Sequence, residues 1–231
     1  MGSAHICVAI TAKDVKSAKE EAGRAMQLGA TLIEHRIDFL KNLDHAKVKE
    51  LLEGRDYPVI LTNRRKEEGG HFQGEDEAER ISLLICALNM GKFRPEYIDV
   101  ELESLEDFRD YALTGAKFCG SKSIISTHFM KYTPDLDELM AIYDISTETK
   151  ADIIKIATFA QTPADNDIIY KLIEKTKGGI PLIAIAMGKI GSETRIKSVQ
   201  MGTFLTFASL EEGKESASGQ IPIGEMIKEL V

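Results

Sequence analysis

The chain has 231 residues, of which 43% are hydrophobic and 29% charged, and its net charge at pH 7 is −8. This length allows one α/β barrel or two small domains. The negative charge, with no long basic run to offset it, argues against nucleic-acid binding. No apolar stretch is long enough to span a bilayer and the N-terminus lacks a secretion signal, so no membrane partner is expected.

The three cysteines indicate a reducing compartment. Cys7, Cys86 and Cys119 are odd in number, far apart in sequence and set in apolar surroundings. A disulfide framework or a thiolate metal site needs closer spacing. We therefore predict three reduced core residues in a cytoplasmic protein.

Short β-rich runs alternate with longer amphipathic runs along the whole chain. Strands are predicted at residues 5–10, 31–38, 58–64, 97–102, 123–128, 151–158, 181–187 and 204–210. Helices are predicted at residues 14–28, 44–53, 76–90, 134–143, 165–177, 192–201 and 223–230.

The alternation of strand and helix predicts an α/β protein, a (β/α)8 TIM barrel, with residues 1–231 forming a single catalytic domain. The second choice is a doubly wound open sheet. That fold usually needs fewer strands, and no Gly-rich dinucleotide loop follows the first strand here. In a barrel, catalytic groups lie toward the carboxyl ends of the strands. Polar residues in and after the predicted strands therefore become the candidates.

Lys155 is the most informative of these residues because it lies inside the apolar run 151–157. Burial of an unpaired ammonium group is costly. Burial or a neighbouring cation lowers the pKa of a lysine and leaves a neutral amine that can attack a carbonyl. Taken alone, the run favours a lysine that extends its ammonium group to water.

Arginines and carboxylates mark the second and third strands. Alternation places Glu34, Arg36 and Asp38 on one face of the second strand. Arg64 and Arg65 close the third strand. A buried Glu34–Arg36 pair fits a purely structural role, whereas the paired arginines fit either solvated side chains or, inside a barrel mouth, guanidinium forks that bind a carboxylate or phosphate.

Later strands add further polar residues. Asp99 and Glu101 share a face of the fourth strand, where we expect them to fix arginines of neighbouring strands. His128 ends the fifth strand, and Arg195 opens a helix whose dipole it opposes, which an anionic ligand would explain. Such a set suits a carbonyl compound that bears a carboxylate and hydroxyls, with an imine-forming lysine and a proton-moving histidine.

The segment 211–222 is rich in Gly, Ser and Glu and has no periodicity. It is either a disordered connection or a closing lid, and its composition favours the first. No cluster in the chain has metal-ligand spacing, so no metal is expected.

Six motifs occur in the order found in the type I 3-dehydroquinate dehydratase family, which the chain resembles over nearly its whole length. Each motif is weak alone, but six in register are a strong signal. They are residues 34–38 (EHRID), 64–70 (RRKEEGG), 126–128 (STH), 152–157 (DIIKIA), 187–195 (MGKIGSETR) and 216–220 (SASGQ).

The resemblance implies a (β/α)8 barrel that dehydrates 3-dehydroquinate to 3-dehydroshikimate in the shikimate pathway. It implies a homodimer that uses no metal or organic cofactor. By resemblance, Lys155 is the Schiff-base lysine, His128 the general acid/base and Glu68 the carboxylate that supports it. The substrate-binding positions implied are Glu34, Arg36, Arg64, Arg195, Ser216 and Gln220.

Two positions depart from the family pattern, and two other functions stay open. Thr194 replaces a frequent Ser, and Ser218 replaces the usual Pro, which weakens the expectation that the lid closes. A class I aldolase on the same fold would need a phosphate cradle of glycine amides after the last two strands. A catalytically silent barrel that binds a small acid would be expected to lack Lys155 or His128, and both are present.

Overall fold

The computed structural model describes residues 5–74 and 76–230, and one sheet of parallel strands runs through it. Its strands are β1 His5–Ile10, β2 Leu32–Arg36, β3 Val59–Thr62, β4 Tyr97–Glu101, β5 Lys122–His128, β6 Ile153–Phe159, β7 Leu182–Met187, β8 Leu205–Ser209 and β9 Ile221–Pro222.

The strand order is β7-β6-β5-β4-β3-β2-β1-β8-β9, and every pairing is parallel. The sheet closes where β7 meets β8, because the amide of Phe204, directly before β8, donates to the Leu182 carbonyl of β7 at 2.8 Å. Consecutive strands are neighbours and the order never reverses, which rules out the doubly wound sheet. The (β/α)8 barrel prediction is confirmed.

Helices connect the strands on the outside of the barrel. They are α1 Val15–Gln27, α2 His45–Leu52, α3 Glu77–Leu88, α4 Glu106–Cys119, α5 Leu136–Glu148, α6 Pro163–Lys175, α7 Gly188–Gly191, α8 Thr194–Gln200 and α9 Ile223–Leu230. The helix α4 is missing from the sequence-based bounds, although its signals were present. Glu106 and Asp107 occupy its first turn, and Gly120 ends it with φ of 76°.

Local chemistry explains the other shifts of element bounds. The predicted second strand runs to residue 38, but its ladder with β3 ends at the Arg36–Thr62 pair, and Ile37–Phe39 forms a 3-10 turn. Helix α5 begins later than predicted because the Asp135 side chain caps it. Helix α6 begins earlier, at Pro163, because Thr162 and Asp165 form a capping box.

The hydrophobic core has layers on both sides of the strands. Two clusters lie between the strands and the helices, and a third lies inside the barrel. Ile153 and Ala157 belong to the inner cluster, and Lys155 lies between them on the same face of β6. This alternation turns the lysine side chain toward the barrel interior.

Two further sequence expectations concern the cysteines and the membrane. All three cysteines are free, but only Cys7 is fully buried, whereas Cys86 and Cys119 are half-buried. Among the described residues, no helix is both long enough and apolar enough to cross a membrane. A single domain over 1–231 stays a prediction, since residues 1–4, 75 and 231 lie outside the described part.

Candidate active site

A cleft of about 490 Å³, counting its open mouth, lies at the carboxyl ends of the strands. All of the site residues that the family resemblance implies line it. They are Glu34, Arg36, Arg64, Glu68, His128, Lys155, Arg195, Ser216 and Gln220. The barrel thus brings together residues from β2, β5, β6 and the segments after β3, β7 and β8.

Lys155 is 5% exposed and does not extend to water. Its Nζ donates to Asp99 Oδ2 at 2.9 Å and lies 3.6 Å from Glu34 Oε1. The same nitrogen lies 4.6 Å from the centre of the Phe207 ring. The amine is therefore held in one place by two carboxylates and an aromatic face.

Arg64 is tied to the protein by carboxylates. Its Nη2 lies 2.8 Å from Asp99 Oδ1, and its Nη1 donates to Glu101 Oε1 at 2.8 Å and to Ser126 Oγ at 2.7 Å. Burial opposes its charge, yet Asp99 and Glu101 raise the pKa of Arg64. The expectation that Asp99 and Glu101 fix a neighbouring arginine is confirmed, and Asp99 also holds Lys155.

The charge on Asp99 is strongly stabilised. Burial alone would raise the pKa of its carboxyl, but Arg64 and then Lys155 hold that pKa well below its usual range. Asp99 is consequently an anion at every physiological pH. It can hold the ammonium form of Lys155, but it is a poor acceptor for the proton.

Glu34, Arg36 and Asp38 were expected to share one face of the second strand, and the structure arranges them differently. Asp38 lies in the 3-10 turn and accepts both guanidinium bonds of Arg36, at 2.8 and 2.7 Å. Glu34 instead accepts from Thr62 Oγ1 at 2.8 Å. A Glu34–Arg36 pair does not form, and Glu34 faces the lysine.

Glu68 orients His128. Its Oε2 accepts from the His128 amide at 2.9 Å and lies 2.8 Å from His128 Nδ1, which leaves Nε2 for the cleft. Burial, followed by the charges of Arg64 and Lys155, lowers the pKa of His128 well below its ordinary value. The imidazole is therefore neutral at pH 7 and able to accept a proton. Burial also raises the pKa of Glu68 to about 7.

Arg195 differs from the other cleft arginines. It is fully buried, and its Nε donates to the Gly219 carbonyl at 2.9 Å, while Nη1 donates to the Phe207 carbonyl at 3.3 Å. No carboxylate among the described residues pairs with it, and burial lowers its pKa to about 10. A buried guanidinium held by neutral oxygens alone retains its capacity to bind an anion.

The 211–222 segment has defined contacts over the cleft, in place of the disordered connection that its composition favoured. The Ser216 amide donates to Gln220 Oε1 at 2.7 Å, and Gln220 Nε2 donates to Ser216 Oγ at 3.0 Å. The Ser218 carbonyl accepts from the Gly188 amide at 3.0 Å, although Ser replaces the usual Pro there. The segment therefore acts as a cover, and we call residues 211–220 the lid.

Several residues of the site were not identified from the sequence. Phe207 and Met130 line the cleft, but an apolar residue in or after a strand carries no signal of its own. Arg65 was expected beside Arg64 but does not line the cleft, and it pairs with Glu67 at 3.1 Å. In the described ranges, no three His, Cys, Asp or Glu side chains are grouped to hold a metal ion.

The amine, the imidazole and the unpaired guanidinium meet at the end of the barrel where enzymes of this fold act. The class of protein is thus a barrel enzyme. The family model of type I 3-dehydroquinase matches residues 6–230. The chain belongs to this family, whose members are hydro-lyases.

Individual relatives agree with this assignment. The chain is 35% identical over 229 residues to 3-dehydroquinate dehydratase of Methanothermobacter thermautotrophicus, covering 98% of this chain and 97% of the relative. The crystal structure of 3-dehydroquinate dehydratase from Geobacillus kaustophilus superposes with a TM-score of 0.91 at 27% identity, over 99% and 90% of the two chains. A type I 3-dehydroquinate dehydratase from Clostridium difficile with covalently modified comenic acid has a TM-score of 0.90 at 28% identity, over 100% and 92%.

Proposed function

We propose that the protein eliminates water from 3-dehydroquinate to give 3-dehydroshikimate, through an imine on Lys155. The family assignment supports this reaction, as does the activity in the name of the Methanothermobacter relative. The observation that carries the proposal is the position of Lys155 Nζ, buried in the same cleft as His128 and Arg195. An enzyme that forms an imine needs an amine shielded from water beside a proton carrier.

Arg195 is the proposed partner of the substrate carboxylate. Arg36 is bonded to Asp38 and Arg64 to Asp99 and Glu101, so their charges are already balanced by the protein. The guanidinium of Arg195 has no such partner among the described residues. Glu34, Arg36 and Arg64, together with Ser216 and Gln220 of the lid, then supply polar groups for the substrate hydroxyls.

Imine formation begins when Lys155 Nζ loses a proton and attacks the C3 ketone. Asp99 is a weak base because its pKa lies far below the usual range, whereas His128 is neutral and can take the proton. The carbinolamine then loses water as His128 returns a proton to the departing oxygen. The product is a protonated imine, whose positively charged nitrogen withdraws electrons from the ring.

Elimination follows from the same geometry. The imine acidifies the hydrogen at C2, and His128 Nε2 removes it. The electron pair of that C–H bond forms the new double bond, and the C1 hydroxyl leaves with a proton from His128. Because one imidazole serves both positions, the elimination is syn. Water then hydrolyses the imine, which releases 3-dehydroshikimate and restores Lys155.

Borohydride trapping tests this function. The protein is incubated with 3-dehydroquinate and borohydride, and peptides are mapped by mass spectrometry. We expect an adduct on Lys155 and loss of turnover, with no adduct on the exposed Lys189. Turnover without an adduct on Lys155 would contradict the imine route, and no turnover of 3-dehydroquinate would contradict the proposed reaction itself.

The loops after β7 and β8 favour this reaction over an aldolase. A phosphate cradle needs free glycine amides, but the Gly188 amide donates to the Ser218 carbonyl. The segments after β7 and β8 contribute Arg195, Ser216 and Gln220 to the cleft instead. These groups suit a carboxylate and hydroxyls.

Four further assignments belong to this proposal. The reaction would serve the shikimate pathway of aromatic amino-acid biosynthesis, in the cytoplasm. The protein would act as a homodimer without a metal or organic cofactor. Sedimentation of the purified chain and activity after treatment with a chelator test the last two assignments.

A further inference from the structure

Arg80 on α3 is a fully buried arginine outside the cleft. Its Nε and Nη2 donate to the two carboxylate oxygens of Glu77 at 2.8 and 2.7 Å, and Nη2 also donates to Ser104 Oγ at 2.8 Å. Its Nη1 donates to the Asn63 carbonyl and lies 2.7 Å from Glu101 Oε2. Burial of a side chain this large and charged, away from the cleft, requires a physical reason.

Glu101 links Arg80 to the active site. One of its oxygens accepts from Arg64, whereas the other has no hydrogen-bond partner among the described residues and is balanced by the charge of Arg80 alone. Arg64 in turn forms an ion pair with Asp99, and Asp99 forms an ion pair with Lys155 Nζ. Opposite charges therefore alternate from the outer helix layer to the candidate Schiff-base amine. We call this series, Glu77, Arg80, Glu101, Arg64, Asp99 and Lys155, the ion chain.

The position of Arg80 in the ion chain has a physical consequence. If the charge of Arg80 were removed, Arg64 would be the sole cation of the ion chain that pairs with Glu101. Glu101 would then attract Arg64 more strongly, and the ion pair between Arg64 and Asp99 would weaken. As a result, Asp99 would interact more strongly with the Lys155 ammonium group. The proton would leave Nζ less readily, although Arg80 touches neither the amine nor the cleft.

We propose that Arg80 is a positioning residue of the dehydratase, which keeps Arg64 on Asp99 and so keeps the Lys155 amine reactive. This inference rests on the proposed function, since it concerns imine formation at Lys155. Arg80 acts through Glu101, Arg64 and Asp99 and contacts no substrate. A salt bridge on the outer layer of the barrel thereby influences the chemistry inside it.

Other titratable or charged groups lie near Lys155, and the substitutions below leave them unchanged. They are the neutral thiol of Cys7 on β1, Glu34 and Arg36 of β2, Glu68 after β3, His128 of β5 and Arg195 of α8.

The test compares substitutions of Arg80 with that of a second buried arginine. Arg55 lies outside the ion chain, its side chain is buried and pairs with the partly exposed Glu96 at 3.0 Å, and Arg55→Met is therefore the control. The rate of borohydride trapping at Lys155 and kcat for 3-dehydroquinate are measured from pH 6 to pH 9. We expect Arg80→Met to be about tenfold slower at pH 7, with a pH profile displaced toward higher pH, because Asp99 then pairs more strongly with the Lys155 ammonium group.

Two more variants keep the test decisive if Arg80→Met does not fold. Arg80→Lys retains the charge, and we expect the wild-type pH profile to return. Glu77→Gln removes the outermost negative charge, and the profile should move toward lower pH, the opposite direction from Arg80→Met. Arg55→Met should change the rate by the same factor at every pH.

The outcomes separate this inference from the proposed function. Suppose that the wild-type protein dehydrates 3-dehydroquinate and that Arg80→Met and Glu77→Gln both keep its pH profile. This result would overturn the role of Arg80 and leave the proposed dehydratase function in place. A uniform loss of rate in Arg80→Met, like that in Arg55→Met, would do the same. A wild-type protein that does not dehydrate 3-dehydroquinate would remove both.

Discussion

Arg64 and Arg195 are both buried at the same cleft, yet only the charge of Arg64 is balanced by carboxylates of the described residues. Arg64, on the β3–β5 side, is bonded to Asp99 and Glu101, and these carboxylates raise its pKa against the effect of burial. Arg195, on the β7–β8 side, is bonded to backbone carbonyls, and burial lowers its pKa to about 10.

The difference shows how one cleft combines stability with binding. On the Arg64 side the protein supplies its own counter-charges, so the side chains are fixed before any substrate arrives. On the Arg195 side a counter-charge is missing among the described residues, and an anionic ligand would supply it. Burial of an unbalanced cation destabilises the free protein. When the substrate carboxylate binds Arg195, this destabilisation is relieved, and the relief increases the affinity for the substrate.

The largest expected effect comes from removing the amine that the Arg64 side holds. Lys155→Met should lower kcat by more than about 10⁴-fold, because no other lysine of the described residues lines the cleft to form the imine. The fold should persist, since Asp99 keeps Arg64 and Ser126 as partners. Steady-state kinetics and circular dichroism measure both quantities. Lys189→Met, a change at an exposed lysine, is the control, and a Lys155→Met variant with substantial turnover would place the chemistry elsewhere.

Stability should separate the two arginines. Arg64→Met leaves Asp99 and Glu101 buried with fewer cations, and we expect a loss of about 3–5 kcal/mol in the free energy of unfolding. Arg195→Met leaves carbonyl oxygens without donors but also removes an unbalanced buried cation, and we expect the two effects to offset each other to within about 1 kcal/mol. Urea unfolding of both variants at pH 7 gives the comparison. Equal losses would contradict the difference in charge balance.

Glu68 supplies a pH-dependent test of the Arg64 side. Burial raises the pKa of Glu68 from 4.5 to about 7, so the folded protein retains a proton that the unfolded chain releases earlier. Between these pH values the unfolded state binds fewer protons, and stability therefore falls as pH rises, by about 3 kcal/mol in total. Glu68→Gln abolishes this titration. Relative to wild type, the free energy of unfolding of Glu68→Gln should therefore increase by about 3 kcal/mol between pH 4 and pH 8.

Urea unfolding at the two pH values measures the gain in Glu68→Gln. The same variant should lose activity, because the amide supports the His128 imidazolium less well than a carboxylate. A stability difference that does not change with pH would mean that Glu68 titrates normally.

The smallest expected effect concerns recognition on the Arg195 side. Arg195→Lys keeps the charge but loses the planar fork, and we expect KM for 3-dehydroquinate to rise roughly 10- to 100-fold with a smaller change in kcat. Steady-state kinetics separates the two constants. A fall in kcat at unchanged KM would show that Arg195 contributes to the transition state instead of to ground-state binding.

Much of the fold was predictable because strand and helix patterns are local. Eight strands follow from short β-branched runs, and their bounds differ from the structure by a few residues. The helix α4 was missed, although Glu106 and Gly120 mark its ends, because its buried face consists of small side chains such as Ala112 and Ala116. The barrel repeat required a helix at that position.

The candidate site was predictable as a set of residues but not as a set of contacts. The sequence placed Lys155, His128, Arg64 and Arg195 in strands or directly after them, and the barrel brings these four residues to one cleft. It did not show that Asp38 binds Arg36 while Glu34 faces Lys155. Nor did it identify Arg80, which has the pattern of an ordinary helix residue.

The sequence by itself determined the alternation of strands and helices, the family and the set of candidate site residues. The tertiary structure alone decided which charges balance each other. Arg64 meets Asp99 and Glu101 because parallel pairing brings β3 beside β4, whereas Arg195 meets carbonyls of β8 and the lid. Electrostatic interaction depends on distance and burial, and both are set by residues far apart in sequence. An arginine in the sequence therefore shows a charge, and the packing around it decides whether that charge stabilises the protein or is left to bind a ligand.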